Sequence, residues 1–181
     1  MIIYDILRQR RDIILKQWKN IALNQYSFGD FKIHKENNNR FGNPVAYTIS
    51  SGLETILDEI IAETHTVKLD DALEEIVKIK SLQAEKPSIA VDFLFHLKNI
   101  LKNDLDDFRQ DGGYPGEIEK LHTDIDNLIL SAFDIFMKCR EKIYDIKSKE
   151  IMKRSYRLLE RANMVDPAPR RKGDVDDEIG C

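Results

Sequence analysis

Three features of this sequence predict an all-α protein. Turn-forming residues gather into a few clusters, apolar residues recur at helical spacing between them, and nearly fifty residues after Gly116 contain neither Gly nor Pro. Charged residues make up 33% of the chain, above the usual quarter, which favours long solvated helices over a sheet protein. The clusters are Gly29, Gly42-Asn43-Pro44, Lys86-Pro87, the run from Gly112 to Gly116, and Pro167-Ala168-Pro169. A first helix is expected over roughly residues 3–26, with Ile3, Leu7, Ile14, Trp18 and Ile21 on one stripe. The second opens at Asn43, a good N-cap, with Pro44 at the first helical position, where its missing N–H costs nothing. Val45, Ile49, Leu53, Ile56 and Ile60 mark its buried face. A third, short helix starts at Asp70, and a fourth opens at Pro87 with Ala90, Phe93, Leu94, Leu97, Leu101, Leu105 and Phe108 inward. Tyr26–Phe31 is the one candidate extended piece, short and expected to be unpaired.

The fifth helix spans about 116–163, roughly 70 Å at 1.5 Å per residue. Its first half keeps a heptad-like seam of Ile118, Leu121, Ile125, Leu128, Ala132, Phe136, Cys139, Ile143 and Ile146. Beyond Ile146 the spacing slips to Ile151, Leu158 and Leu159. A period near 3.5 held this long favours helix-on-helix packing, often between two chains. So long a helix is expected to project into solvent or meet a partner. Residues 164–181 carry Pro167, Pro169, Gly173 and many charges, and read as a flexible tail.

At 181 residues the chain suits one domain, residues 1–163 with the tail appended. Its net charge of −4 supplies no field that selects nucleic acid. Two cysteines cannot staple a secreted scaffold, so a reducing cytoplasm is the expected home. The short apolar runs near the N-terminus make neither a signal peptide nor a membrane span.

Reactive groupings are not evident, and no enzymatic activity is expected. His34, His65, His96 and His122 lie on four segments without metal-ligand spacing, so no metal is expected. Cys139 on the seam reads as a small apolar filler. His96 among Phe93, Phe95 and Leu97 has the look of a globin's iron ligand, although a helical histidine is more often partly exposed or hydrogen-bonded to a neighbour. Gly112-Gly113 lacks the lysine and preceding strand of a phosphate loop. Asp104, Asp106, Asp107 and Asp111 lack the glycine and terminal glutamate of a calcium loop.

The charge anomaly lies between Lys138 and Arg161, with nine Lys or Arg against four acids. The plain reading is a solubilised helix with i,i+4 pairs such as Asp145–Lys149 and Glu150–Arg154. The functional reading is a face that docks an acidic partner, with Lys147, Lys149, Lys153, Arg154 and Arg157 as the docking residues. Nucleic acid is not expected, because no groove-reading or aromatic–basic pattern accompanies the charge.

Three blocks carry a family resemblance. The first is Asn43-Pro44-Val45 with Gly52-Leu53. The second is Ile76 through Gln83, followed by Pro87 through Phe95. The third runs from Ala132-Phe133-Asp134 through Cys139–Tyr144 and closes with Leu159-Glu160-Arg161-Ala162-Asn163. Together they resemble the N-terminal sensory domain of RsbR/RsbRD-type co-antagonists of the bacterial stressosome. The resemblance implies a non-enzymatic helical module, globin-like in architecture but normally without haem, that dimerises and drives a STAS domain through its last helix. Residues 164–181 are too few for a STAS domain, and His96 stands where the family usually carries an aliphatic residue.

The expected function is therefore signal sensing or regulation through protein–protein contact. The expected form is a homodimer through helical faces, with a STAS-domain protein or a switch kinase as partner. Trp18, Tyr47, Phe93, Phe95, His96 and Phe133 are the candidate ligand pocket among the second, fourth and fifth helices and their neighbours. Two alternatives stay open. One is an accessory or assembly protein of an anaerobic redox or respiratory complex, docking through the basic helix and Cys181 as a redox-active thiol. The other is a haem-binding globin-like sensor using His96.

Overall fold

A computed structural model of the chain describes residues 2–24, 27–28, 31–32, 42–83, 86–110, 115–162 and 164. The chain divides into two units, residues 1–140 and 141–181. The first contains α1 (Ile2–Asn24), β1 (Ser27–Phe28), β2 (Phe31–Lys32), α2 (Pro44–Ile61), α3 (Val67–Leu82), α4 (Pro87–Ala90) and α5 (Asp92–Gln110). A long helix, α6 (Pro115–Arg161), contributes its residues up to Arg140 to this unit and the remainder to the second. The class is all-α, and the long C-terminal helix predicted from the Gly- and Pro-free run is present.

In the first unit the helices bury the faces that the spacing marks. On α1, Ile3, Tyr4, Leu7, Ile14, Leu15, Trp18 and Ala22 are buried. Along the same side Arg11 and Lys19 are half-buried, Arg11 donating to Asp58 at 2.5 Å and to Glu54 at 3.0 Å and Lys19 reaching Glu54 at 3.1 Å. Because later positions on α1 meet earlier positions on α2, the two helices run antiparallel. Trp18 meets Phe93 and Arg10 meets Asp104, which sets α5 antiparallel to α1 as well. On α6, Ile118, Leu121, Ile125, Leu128, Ile129, Ala132 and Phe136 are buried. Lys98 on α5 pairs with Asp126 on α6 at 2.6 Å.

The close approach of α2 and α3 is set by Gly52. A Cβ there would stand 2.9 Å from Ile76 Cδ1, 3.1 Å from Ile76 Cγ1 and 3.4 Å from the Ala72 carbonyl oxygen. Asn43 caps α2 as expected, its side chain accepting from the Ala46 N–H at 3.1 Å. At the other end the chain reverses through Glu63, whose φ of 54° lies in the left-handed region that glycine usually fills. The Thr64 N–H closes the helix onto the Glu59 carbonyl at 3.0 Å.

The first helix runs to Asn24, and the last two residues of its expected span lie outside the described residues. Three local expectations are corrected. The stretch expected to be unpaired forms a minimal antiparallel ladder, with Ser27 opposite Lys32 and Phe28 opposite Phe31. Helix α3 starts at Val67 rather than Asp70, because Thr66 caps it, accepting from the Lys68 N–H and donating to Glu59 at 2.9 Å. The helix opening at Pro87 is interrupted at Val91, which separates α4 from α5.

In the second unit, residues 141–161 are helical and nearly all exposed, with Ile143 and Glu160 half-buried. The pairs Asp145–Lys149 at 2.7 Å and Glu150–Arg154 at 2.6 Å form at the i,i+4 spacing read from the sequence. No helix of the described residues is long and apolar enough to cross a membrane.

Two tests follow from the packing. At position 52, Ala presses mainly on the mobile end of Ile76, whereas Val wedges against the Ala72 backbone. Gly52→Val is therefore expected to cost about 1–3 kcal/mol in urea unfolding, and more than Gly52→Ala. Glu54 supplies a pH dependence, since Arg11 first, and then Lys19, holds its carboxyl below the ordinary range against the upward push of desolvation. A depressed folded pKa gives stability that is complete above the ordinary carboxylate range and is lost as pH falls through the folded value. Glu54→Gln is thus expected to lower stability at pH 7 by about 1 kcal/mol or less, given solvent screening, with the difference vanishing in acid.

Candidate functional site

The six aromatic and histidine residues predicted as a pocket are distributed rather than gathered. Trp18 and Phe93 come together, both with no exposed surface. Their rings stack with centroids 6.3 Å apart and an interplanar angle of 15°, and the Trp18 indole N–H donates to the Phe93 carbonyl at 2.7 Å. Tyr47, Phe95 and Phe133 lie at the surface, 39%, 48% and 42% exposed, and His96 is half-buried. The ligand pocket as expected is therefore not assembled, because Phe93 and Phe95 alternate between the inner and outer faces of α5 and Trp18 is sealed against Phe93.

A residue not foreseen completes the buried cluster. Lys80, on α3, has no exposed surface, and its ammonium stands 5.9 Å from the centre of the Phe93 ring. A cation at that distance from an aromatic face is attracted by the ring's quadrupole. Burying an ammonium group is otherwise expensive, so its surroundings are electrostatically sensitive. The signal lay in the spacing: Leu69, Ala72, Leu73, Ile76 and Val77 mark the inner face of α3, and position 80 continues it. Helices α1, α3 and α5 thus meet around one stacked pair and one buried cation.

A second feature of this unit is an open groove of about 280 Å³ beside the α2–α3 turn and α6. Glu59, Glu63, Lys120 and Asp124 supply its charge, and His65 lines it beside them. Several of these groups hold one another or the turn. Glu63 pairs with Lys120 at 2.9 Å, His65 with Asp70 at 2.9 Å, and Glu59 accepts from both Thr64 and Thr66. Desolvation pushes the Glu59 carboxyl up, but the hydrogen bonds from Thr66 and Thr64 outweigh it and hold the group below its usual range. The groove reads as a stapled helix turn. Among the described residues no group of three or more His, Cys, Asp or Glu is placed to hold a metal ion.

The second unit carries the residues that the sequence reading expects to dock a partner. Lys147, Lys149, Lys153, Arg154 and Arg157 are all exposed. The apolar residues noted beyond Ile146 lie among these cations, joined by Met152. Ile151 and Leu158 are each 64% exposed, and Met152 and Leu159 lie beside them in the open. Ser148, Ser155 and Ala162 fill the same face at spacings of three and four. Lys147, Arg154 and Arg161 form the row along one edge, and Lys149 with Tyr156 the row along the other. The result is an uncharged stripe framed by cations, a form suited to an apolar helix or segment with acidic margins. Cys139 is half-buried, and Cys181 lies outside the described residues.

Truncation separates the buried from the exposed aromatics. Phe93→Ala removes the ring that both Trp18 and Lys80 face and is expected to cost about 3–5 kcal/mol in chemical unfolding. Phe95→Ala, on the outer face of the same helix, is expected to cost less than about 1 kcal/mol. Equal costs would show that both rings pack alike.

Comparison with protein-family models, with curated proteins and with solved structures gives no match for this chain.

Proposed function

We propose that the chain is a non-enzymatic regulatory or signal-sensing protein that acts through protein–protein contact made by residues 144–162. The observation that carries this reading is the exposed stripe of Ile151, Met152, Leu158 and Leu159, with Lys147, Arg154 and Arg161 along one edge and Lys149 along the other. Apolar side chains held in water on a regular helix are costly unless a partner covers them, and contiguous exposed apolar surface marks interaction sites. The cations at the margins favour a partner with carboxylates along its edges and speed its encounter. The resemblance to stressosome sensor modules supports the same reading and supplies a partner class, a STAS-domain protein or a switch kinase. On this proposal the protein forms a homodimer through helical faces. Changes in packing around Trp18, Phe93 and Lys80 provide the sensing step, since close-packed interiors shift between discrete arrangements.

The test is affinity capture from native cytosol with the full chain, compared with the double variant Ile151→Asp, Leu158→Asp. A discrete partner retained by the native chain and lost by the variant is the expected outcome. Identical captured sets from the two chains would overturn the docking assignment. Unchanged helicity by circular dichroism is expected for the variant, because both positions are exposed.

A further inference from the structure

The seam along α6 from Ile118 through Phe136 faces the interior, and a second row of the same period faces out of the first unit. Asp126, Leu130, Phe133, Met137 and Arg140 follow one another at steps of four, three, four and three, which keeps all five on one side of the helix. Leu130, Phe133 and Met137 are exposed, as is Asp126, and Arg140 is half-buried. Phe95, also exposed, lies on α5 one turn from Lys98, the residue that pairs with Asp126 at 2.6 Å. The row therefore has an aromatic neighbour, and contiguous apolar surface of this kind marks an interaction site.

The order of the charges says what covers it. An acid closes one end, a base closes the other, and Phe133 stands midway, seven residues from each. A second copy laid antiparallel over Phe133 brings each Asp126 to an Arg140 across the contact. Leu130 and Met137, three and four residues from Phe133, change places in the same operation. A parallel copy would set Asp126 against Asp126 and Arg140 against Arg140, and like charges so placed are costly. The Asp126 side chain is 51% exposed, which leaves room for a guanidinium beside the Lys98 ammonium. One acid works the other way. Asp134 is exposed next to Phe133, so the antiparallel copies bring their two Asp134 carboxylates toward each other. Two opposite-charge pairs against one like-charge approach still favour this arrangement.

We propose that two copies of the chain associate through this row, antiparallel and two-fold about Phe133, with Asp126 and Arg140 paired at both ends. The contact rests on the homodimer given under Proposed function and supplies that dimer with a face and a direction. Three apolar side chains with one aromatic neighbour form a smaller core than the about 20–30 residues a side of a standard stable interface, so the dimer is reversible, with a micromolar dissociation constant.

Sedimentation velocity of the full chain over a concentration series reads the association. The native chain is expected to pass from monomer to dimer, and Phe133→Glu, at an exposed position, to stay monomeric. Asp126→Arg alone and Arg140→Glu alone are each expected to weaken the dimer about tenfold, the loss of two modest rim pairs. An equimolar mixture of those two variants is expected to regain the native affinity, since each reversed position then meets an opposite charge on the other chain. Asp134→Asn is expected to tighten the dimer. Single reversals that leave the association unchanged, or a mixture as weak as its components, would overturn this face. Association abolished by the double variant Ile151→Asp, Leu158→Asp but kept by Phe133→Glu would assign the dimer to residues 144–162 and overturn it as well. A native chain that is monomeric throughout would remove the homodimer and this face together, whereas failure of the reversals alone leaves a homodimer built on another face.

Discussion

Burial of one face of α1 is the constraint on which the first unit depends. Leu7, Ile14 and Trp18 have no exposed surface, and the elements around them are positioned by what they present to this helix. Helix α2 is fixed along it by Arg11 and Lys19, and α5 by the indole hydrogen bond to Phe93 and by Arg10. The α6 side chain of Glu117 accepts from the Ile3 N–H, meeting one of the unsatisfied donors at the start of α1. Apolar burial supplies the free energy and the polar contacts choose the register, a division that follows from their magnitudes. A buried large side chain contributes about 1.5–3 kcal/mol, whereas a screened surface pair contributes about 1 kcal/mol at most.

Helix α6 shows how one secondary structure serves two physical ends. In the first unit its residues Ile118, Leu121, Ile125, Leu128, Ala132 and Phe136 are removed from water. In the second, residues of the same apolar character, Ile151, Leu158 and Leu159, are exposed, while basic side chains multiply around them. Helical propensity and i,i+4 pairs such as Glu150–Arg154 account for the second stretch as a helix, but they give no reason for its apolar row. That surplus is the argument for a binding surface, and it is local to residues 141–162.

Much of the fold was legible because helices leave periodic traces. Asn43-Pro44 announced the start of α2 through capping chemistry, and the absence of Gly and Pro announced α6. The break at Val91 was not legible, since Ala90, Phe93 and Leu94 keep the same apolar spacing on both sides of it. The start of α3 was missed because Thr66 draws its strength from Glu59, seven residues away in sequence and adjacent only after folding. For the site, residue type misled: aromatic character grouped Tyr47, Phe95 and Phe133 with Trp18, although periodicity places them outward. Lys80 was passed over for the converse reason, since its charge suggested solvent while its position on α3 assigned it to the interior.

Trp18 has a consequence of another kind, because the sequence contains one tryptophan. Near-ultraviolet emission excited at the indole band therefore originates at a single place, the seam between α1 and α5 beneath a buried ammonium group. The protein is born with its own optical gauge of that seam. Any stimulus that rearranges the interior is written into the colour of that emission, and one that acts only on residues 141–162 leaves it dark to the change.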